Sequence, residues 1–434
     1  MIKRIAFNIV AFGLRVQARR LLSKARRSNS NFKVIAVTGS VGKTTTKLAV
    51  ATVLSEKYKV QVHPGNYNTE TGVPLALFEM ESPGGVTNPA WLKVLWQMEK
   101  KLKQPFNYDV VVLEFGASKD RDIEYFKFTQ PDFGIVVAAK PAHLEFFGDM
   151  KTIQNEKFKL AEYSKKAMVN AEDELLMQKF KTLQPGQGET YGIHEGDYRF
   201  DVETFDVNKG FDGTLNLKGR KIPVHLNLFA EHIAASAVVA AAVGVQVGLS
   251  DGEIKSGVEK AFHVDGRMRR FNGIKNSVII DDTYNNNPEA AKAALSMLYS
   301  LPGRKIAILG GMNELGKYEK KYHEEVGSYC AKLDLLVTVA GKAKMYIPAA
   351  KKAGLKASKI TSFSSPYEAG EYVAGLVKKD DKILVKGSQG GIFAEEATKK
   401  LLENADDSKN LVRQSDFWQG VKSKTFEGNA TAED

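Results

Sequence analysis

Residues 34–47 read VIAVTGSVGKTTTK. Val34, Ile35 and Val37 are apolar and β-branched, as a parallel strand buried on both faces requires. Gly39 and Gly42 let the chain turn tightly after that strand, so that backbone N–H groups can converge on an anion. The residues after Gly42 read as a helix, whose unpaired first-turn N–H groups and dipole favour negative charge. In such a loop Gly39, Ser40, Val41, Gly42 and Thr45 line the phosphates, Lys43 reaches the β- and γ-phosphates, and the Thr44 hydroxyl faces Mg2+. Val37 stands where the general pattern G-x-x-x-x-G-K-[ST] has its first glycine. A strand before the loop and a helix after it predict a nucleotide-binding P-loop. The loop alone leaves open whether the phosphate drives a switch, mechanical work or the activation of another molecule.

The 434 residues suffice for two or three domains, and 43% apolar with 26% charged residues describes a soluble globular chain. A single cysteine, Cys330, rules out an intramolecular disulfide framework. It fits a reducing, cytoplasmic setting and reads as a buried structural thiol. The net charge of +11 points to anionic partners, and the excess is uneven: the first 27 residues hold eight Lys or Arg and no acid. The apolar run from Ile5 to Leu14, interrupted by Asn8, is too short to span a bilayer. Residues 1–27 suit a basic amphipathic helix lying peripherally on an anionic inner membrane face. A helix packed on its own domain with its cations in water fits them equally. Without interleaved aromatics, the segment does not read as a nucleic-acid module.

The polar stretch RRSNSN (26–31) separates that segment, 1–31, from an alternation of strands and helices over 32–265. Strands are expected at 58–63, 109–116, 133–139 and 166–170, the pattern of a parallel sheet covered by helices. Residues 197–228 alternate and carry glycine turns, so small antiparallel hairpins are expected there. An alanine-rich helix over 231–243 and a capping box from Ser250 to Glu253 follow. A second α/β unit, 266–420, has five strand–helix steps in the manner of a Rossmann-like domain. Asn287 before Pro288 marks one of its helix starts. Residues 421–434 read as a polar tail. The fold class expected is α/β, with a P-loop central domain followed by a Rossmann-like C-terminal domain.

Glu114 ends a fully apolar run, where packing gives an acid no reason to stand and a hard cation would. His143, beyond the strand at 133–139, falls at the carboxyl edge of the same sheet, where doubly wound proteins bind ligands. Lys157 lies on the helix that follows.

The ordered blocks TGSVGKTTTK, GNYNTETGVP, LEFGAS, AHLEFFG, NEKFKLAE, DGRMRRF, DDTYNNNPEAAKAAL, GGMNELG and LVKGS resemble the Mur ligase family from about residue 32 to residue 405. Within it they resemble the branch that adds D-alanyl-D-alanine to UDP-N-acetylmuramoyl-tripeptide. DDTYNNNP is the most diagnostic block. The resemblance implies an ATP-dependent carboxylate–amine ligase of peptidoglycan synthesis, cytoplasmic and monomeric. Its γ-phosphate would go to the substrate carboxylate, and the amine of D-alanyl-D-alanine would displace it from the acyl phosphate. The cofactors implied are ATP and two Mg2+ ions. Thr44 and Glu114 would hold the first ion and His143 the second, with Lys157 carbamylated as a further metal-binding anion. Asn66, Asn68, Asn285 and Asn287 would face substrate. His232, Arg267 and Asp282 would contact the nucleotide, and Lys386 would steady the acyl phosphate.

The chain departs from the family pattern at several places. Ile233 and Ser236 replace two asparagines near the adenine, Thr69 replaces another, Gln389 an arginine and Gly311 an aspartate. Only the basic segment stands where family members usually carry an N-terminal UDP-binding domain. These departures keep two alternatives open: a ligase of folylpolyglutamate or cyanophycin type acting on another carboxylate, and a nucleotide-gated scaffold that joins nothing.

Overall fold

The computed structural model describes residues 2–117, 122–141, 144–260 and 264–427. The chain forms two compact units, Met1–Lys140 with Phe146–Phe262, and Pro141–Glu145 with His263–Asp434.

The first unit is built on a nine-stranded sheet. Its strands are β1 (Lys33–Thr38), β2 (Val60–Val62), β3 (Val110–Phe115), β4 (Phe133–Val136), β5 (Lys166–Asn170), β6 (Gly188–Tyr191), β7 (Tyr198–Asp206), β8 (Gly210–Leu217) and β9 (Arg220–Leu226). The spatial order is β2-β3-β1-β4-β5-β6-β7-β8-β9. The first six run parallel, β7 pairs parallel to β6, and the β7–β8 and β8–β9 pairings are antiparallel. The expected hairpins are therefore not a separate sheet. A short strand that the sequence did not announce, β6, joins them to the parallel core by one pairing, Tyr191 with Tyr198. The central strands are buried along their length, as their apolar runs demand.

The helices of this unit include α1 (Ile2–Ser28), α2 (Lys43–Leu54), α3 (Gly72–Leu77) and α4 (Ala90–Lys103). The basic segment is one continuous helix, α1, and it packs on the first unit. Ala11, Leu14, Ala18, Leu21, Leu22 and Ala25 are buried along one face. Its cations Lys24 and Arg26 donate to backbone carbonyls of Leu102, Gln104, Thr129 and Gln130. The alanine-rich helix runs from Glu231 to Gln246, and the Ser250–Glu253 capping box closes as expected.

The second unit holds β10 (Arg269–Gly273), β11 (Ser277–Asp282), β12 (Lys305–Gly310), β13 (Leu335–Val339), β14 (Ile360–Phe363) and β15 (Lys382–Lys386), in the order β10-β11-β15-β12-β13-β14. Five of these strands are parallel, and β10 adds an antiparallel edge. Cys330 is buried, and burial pushes its thiol up to about 12. Residues 421–427, expected in the polar tail, instead complete a helix from Asp416 to Glu427. Lys422 there is buried, 3.0 Å from Glu395 and 2.5 Å from Glu396. Residues 428–434 lie outside the described chain.

Candidate active site

In the register of the first sheet Val37 pairs with Glu114 and Thr38 with Phe115, so β1 and β3 end side by side. The phosphate loop leaves β1 with Gly42 at φ +79°, a left-handed conformation open to glycine. A Cβ there would come within 2.9 Å of the Val137 side chain, so glycine also answers a space requirement. Helix α2 begins at Lys43 with no side-chain cap from Gly42, so the positive end of its dipole faces the loop. The Lys43 amine curls over the loop, donating to the Gly39 carbonyl at 2.7 Å. Ser40 is pinned from both sides: its N–H donates to the Ala138 carbonyl, and its hydroxyl accepts from the Lys140 N–H.

Glu114, buried at the end of β3, is the centre of a polar cluster. Its Oε2 lies 2.9 Å from the Thr44 hydroxyl, and its Oε1 accepts from Asn68 Nδ2 at 2.9 Å. Asn66 Oδ1 stands 3.1 Å from the same Thr44 hydroxyl. Lys47, one turn into α2 and buried, sits 3.4 Å from Glu114 Oε2 and donates to the Gly65 carbonyl at 2.9 Å. The loop carrying both asparagines folds over Gly116, where a Cβ would meet the Asn68 carbonyl at 2.9 Å. The expected ligand Glu114 and the expected substrate residues Asn66 and Asn68 thus form one constellation with Thr44. Sequence reasoning missed Lys47, because a lysine inside a helix reads as a solvated cation. Desolvation lowers the Lys47 pKa, and the Glu114 charge partly restores it.

These donors suit a small divalent cation. A hydroxyl, a carboxylate and an amide oxygen are hard ligands, and Mg2+ typically takes one or two carboxylates and completes its shell from phosphates and water. Among the described residues no cluster of three His, Cys, Asp or Glu forms a self-sufficient metal cage. An ion held here would share its ligands with a nucleotide seated on the adjoining loop.

Lys157 lies on the helix Met150–Tyr163 and is 1% exposed. Its amine donates to the carbonyl of Ala117, just past β3, at 2.9 Å. Burial holds its pKa well below the usual lysine range, with the Lys43 charge acting in the same direction and Glu156 and Asp122 opposing. His143 lies outside the described residues. His232 is exposed in the first turn of the helix Glu231–Gln246.

Two departures from the family pattern in this unit have local explanations. Ser236 is buried with its hydroxyl 3.0 Å from that of Thr46, so this position serves helix packing against α2. The Thr69 hydroxyl accepts from the Gly72 N–H at the start of α3.

In the second unit Asp282 and Lys386 are register partners on β11 and β15, with the Lys386 amine 2.5 Å from the Asp282 carboxylate. Lys386 also donates to the Asn285 carbonyl, and burial lowers its pKa against the pull of Asp282. The Arg267 guanidinium stacks 4.4 Å from the Tyr284 ring centroid. Asn285 Oδ1 accepts from the Ser388 hydroxyl at 2.9 Å. Asn287 is committed to its helix, its side chain capping the Ala290 N–H at 2.9 Å. Asn286, which sequence reasoning passed over, is buried and donates to the Gly310 carbonyl. At Gly311 a Cβ would stand 2.7 Å from the Lys342 Cβ, so the aspartate of the family pattern would need this packing to shift.

The family model for the Mur ligase middle domain matches residues 37–244, and that for the Mur ligase glutamate ligase domain matches residues 266–389. The chain belongs to the Mur ligase family. It is accordingly an ATP-dependent ligase that forms a carbon–nitrogen bond.

A UDP-N-acetylmuramoyl-tripeptide--D-alanyl-D-alanine ligase from Bacillus subtilis is 27% identical over 391 residues, covering 88% of this chain and 79% of the relative. The Synechocystis enzyme of the same name is 31% identical over 315 residues, which span 71% of this chain and 62% of that one. Among solved structures, MurF from Acinetobacter baumannii superposes with a TM-score of 0.74 at 26% identity, covering 90% and 81% of the two chains. MurF from Thermotoga maritima, solved in complex with ADP, gives 0.71 at 25% identity over 92% and 85%. A Mycobacterium tuberculosis folylpolyglutamate synthase shares the Mur ligase fold at 14% identity, with a TM-score of 0.63 over 88% and 94%.

Proposed function

We propose that the protein joins D-alanyl-D-alanine to UDP-N-acetylmuramoyl-tripeptide at the expense of ATP, in the cytoplasm and as a monomer. The observation that carries the reading is the Thr44–Asn66–Asn68–Glu114 constellation at the joined ends of β1 and β3, next to the Lys43 loop. The named relatives supply the substrate pair, and the folylpolyglutamate-type alternative has fold likeness alone behind it.

The chemistry follows from the weakness of a carboxylate as an electrophile. Its oxygen attacks the γ-phosphorus of ATP, ADP leaves, and the carbon now carries phosphate as a leaving group. The amine of the dipeptide then adds to that carbon, loses a proton, and phosphate departs as the amide forms. Positioning and charge neutralisation carry such a reaction.

The loop N–H groups and Lys43 bind and orient the β- and γ-phosphates. Thr44 and Glu114, braced by Asn68 and Lys47, present hard oxygens to the cation. Mg2+, when bound there, neutralises phosphate charge. We assign Arg267 to the nucleotide and Lys386 to the acyl phosphate, with Asp282 holding Lys386 in place.

Lys157 is assigned to carbamylation. Burial disfavours the charged form of its amine, and it is the neutral amine that attacks CO2, giving a carbamate anion and one proton. That anion would join His143 around a second ion.

Hydroxylamine added in place of the dipeptide tests the acyl phosphate. With Mg2+-ATP and UDP-N-acetylmuramoyl-tripeptide, a hydroxamate of the tripeptide carboxylate is expected. Hydroxamate formation without ATP, or its absence while ADP accumulates with the tripeptide, contradicts the reading.

A further inference from the structure

Ile5, Ile9, Phe12 and Val16 recur at helical spacing along α1, and they are 53%, 67%, 60% and 39% exposed. They lie opposite the face that α1 buries through Leu14, Leu21 and Leu22. On α4, Leu92 and Trp96 repeat the pattern at 74% and 56% exposure, opposite the buried Trp91, Val94 and Met98. Six of the thirteen large apolar side chains exposed among the described residues therefore sit on these two helices. Such a concentration marks an interaction surface rather than scattered exposure.

The helices lie against each other and run the same way. A Cβ at Gly13 would touch Leu95, Arg20 pairs with Glu99, and Lys24 donates to the Leu102 carbonyl. Advance along α1 is thus matched by advance along α4. Ile5, Ile9 and Phe12 of α1 and Leu92 and Trp96 of α4 fall in the leading halves, beside exposed Lys3, Arg4 and Lys93, and exposed Arg19 and Arg27 of α1 accompany exposed Lys100 and Lys103 of α4 in the trailing halves. The Lys100 amine sits 3.5 Å from the Trp96 ring centroid, joining the two zones. Residues 2–28 contain no acid, and Glu99, the one acid of α4, is held by Arg20.

We infer that the α1–α4 face is a docking surface for an anionic lipid bilayer. The apolar stripe would lie in the interface plane, with the arginines and lysines on lipid phosphates. The charge decides between occupants. Two copies placed face to face would oppose their cations across an apolar contact, which disfavours self-association. The inference is independent of the substrate assignment, since none of these residues belongs to the site.

The test is flotation of the full chain with vesicles of phosphatidylcholine alone, and with about one third phosphatidylglycerol added. Binding to the anionic vesicles roughly tenfold above the neutral ones is expected. The Phe12→Glu/Trp96→Glu double variant should lose that binding, and Arg19→Glu/Lys103→Glu should lose it with every residue of the apolar stripe unchanged. Both should keep the melting temperature and ATP binding of the parent protein. Equal binding to both vesicle types, no binding to either, or undiminished binding by both double variants would overturn the inference. So would a dimer in sedimentation equilibrium that Phe12→Glu dissolves, because the face would then belong to a second copy.

Discussion

Glu114→Gln keeps the shape of the side chain and removes its charge, so the cluster around Thr44 should persist while its hold on a cation weakens. A loss of roughly 10²-fold or more in turnover is expected, with partial recovery at high Mg2+. The measurement is a Mg2+ titration of phosphate release; an unchanged Mg2+ requirement would detach Glu114 from the metal. Lys157 makes a different prediction, because its burial is costly to the fold. Its folded pKa is depressed, so the unfolded chain binds more protons than the folded one between that depressed value and the ordinary 10.5. Stability then rises with pH across that window, and the cost of burying the amine is greatest below it. Lys157→Met, melted in degassed buffer, should be more stable than the parent at neutral pH, with the gap closing as pH approaches 10. It should also be inactive, whereas Lys157→Ala should regain some activity with short carboxylates that replace a carbamate. Full activity in Lys157→Ala would exclude the carbamate. Glu114 was legible in the sequence because an acid closing an apolar strand has no packing role. Lys47 was not, since its partner Glu114 reaches it only through the adjacent endings of β1 and β3.

The attachment of α1 separates two kinds of interaction. The Arg20–Glu99 pair is half exposed on both sides, and such pairs contribute about 0–1 kcal/mol. Leu14 is fully buried, and truncating such a side chain costs about 2–5 kcal/mol. Leu14→Ala should therefore lower the denaturation midpoint of the first unit markedly, while Arg20→Ala should barely move it. Urea titration followed by far-UV circular dichroism distinguishes the two, and the reverse order would mean that charge rather than apolar packing holds the helix. Helices and buried parallel strands were the readable elements, because period and composition are local. The short strand β6 and the edge strand β10 escaped, being stretches of four and five residues, too short for a period to show. Asn287 shows the converse: its capping role before Pro288 is local chemistry, and the structure gives its side chain to that cap.

The two-unit α/β organisation was visible in the change from alternating strands and helices to hairpins and back again. The fusion of those hairpins into a nine-stranded sheet was not, because one pairing at Tyr191 carries it. The phosphate loop, Glu114 and the later blocks gave the class of chemistry, whereas the substrate pair rests on whole-chain likeness to named relatives. That pair is what one experiment addresses most directly. Phosphate release is followed with Mg2+-ATP and bicarbonate, supplying UDP-N-acetylmuramoyl-tripeptide and D-alanyl-D-alanine together and then each alone, with products weighed by mass spectrometry. Sustained release only when both are present, with a product of the joined mass less one water, is the predicted result. Sustained release with neither, or both present without the joined product, would contradict it.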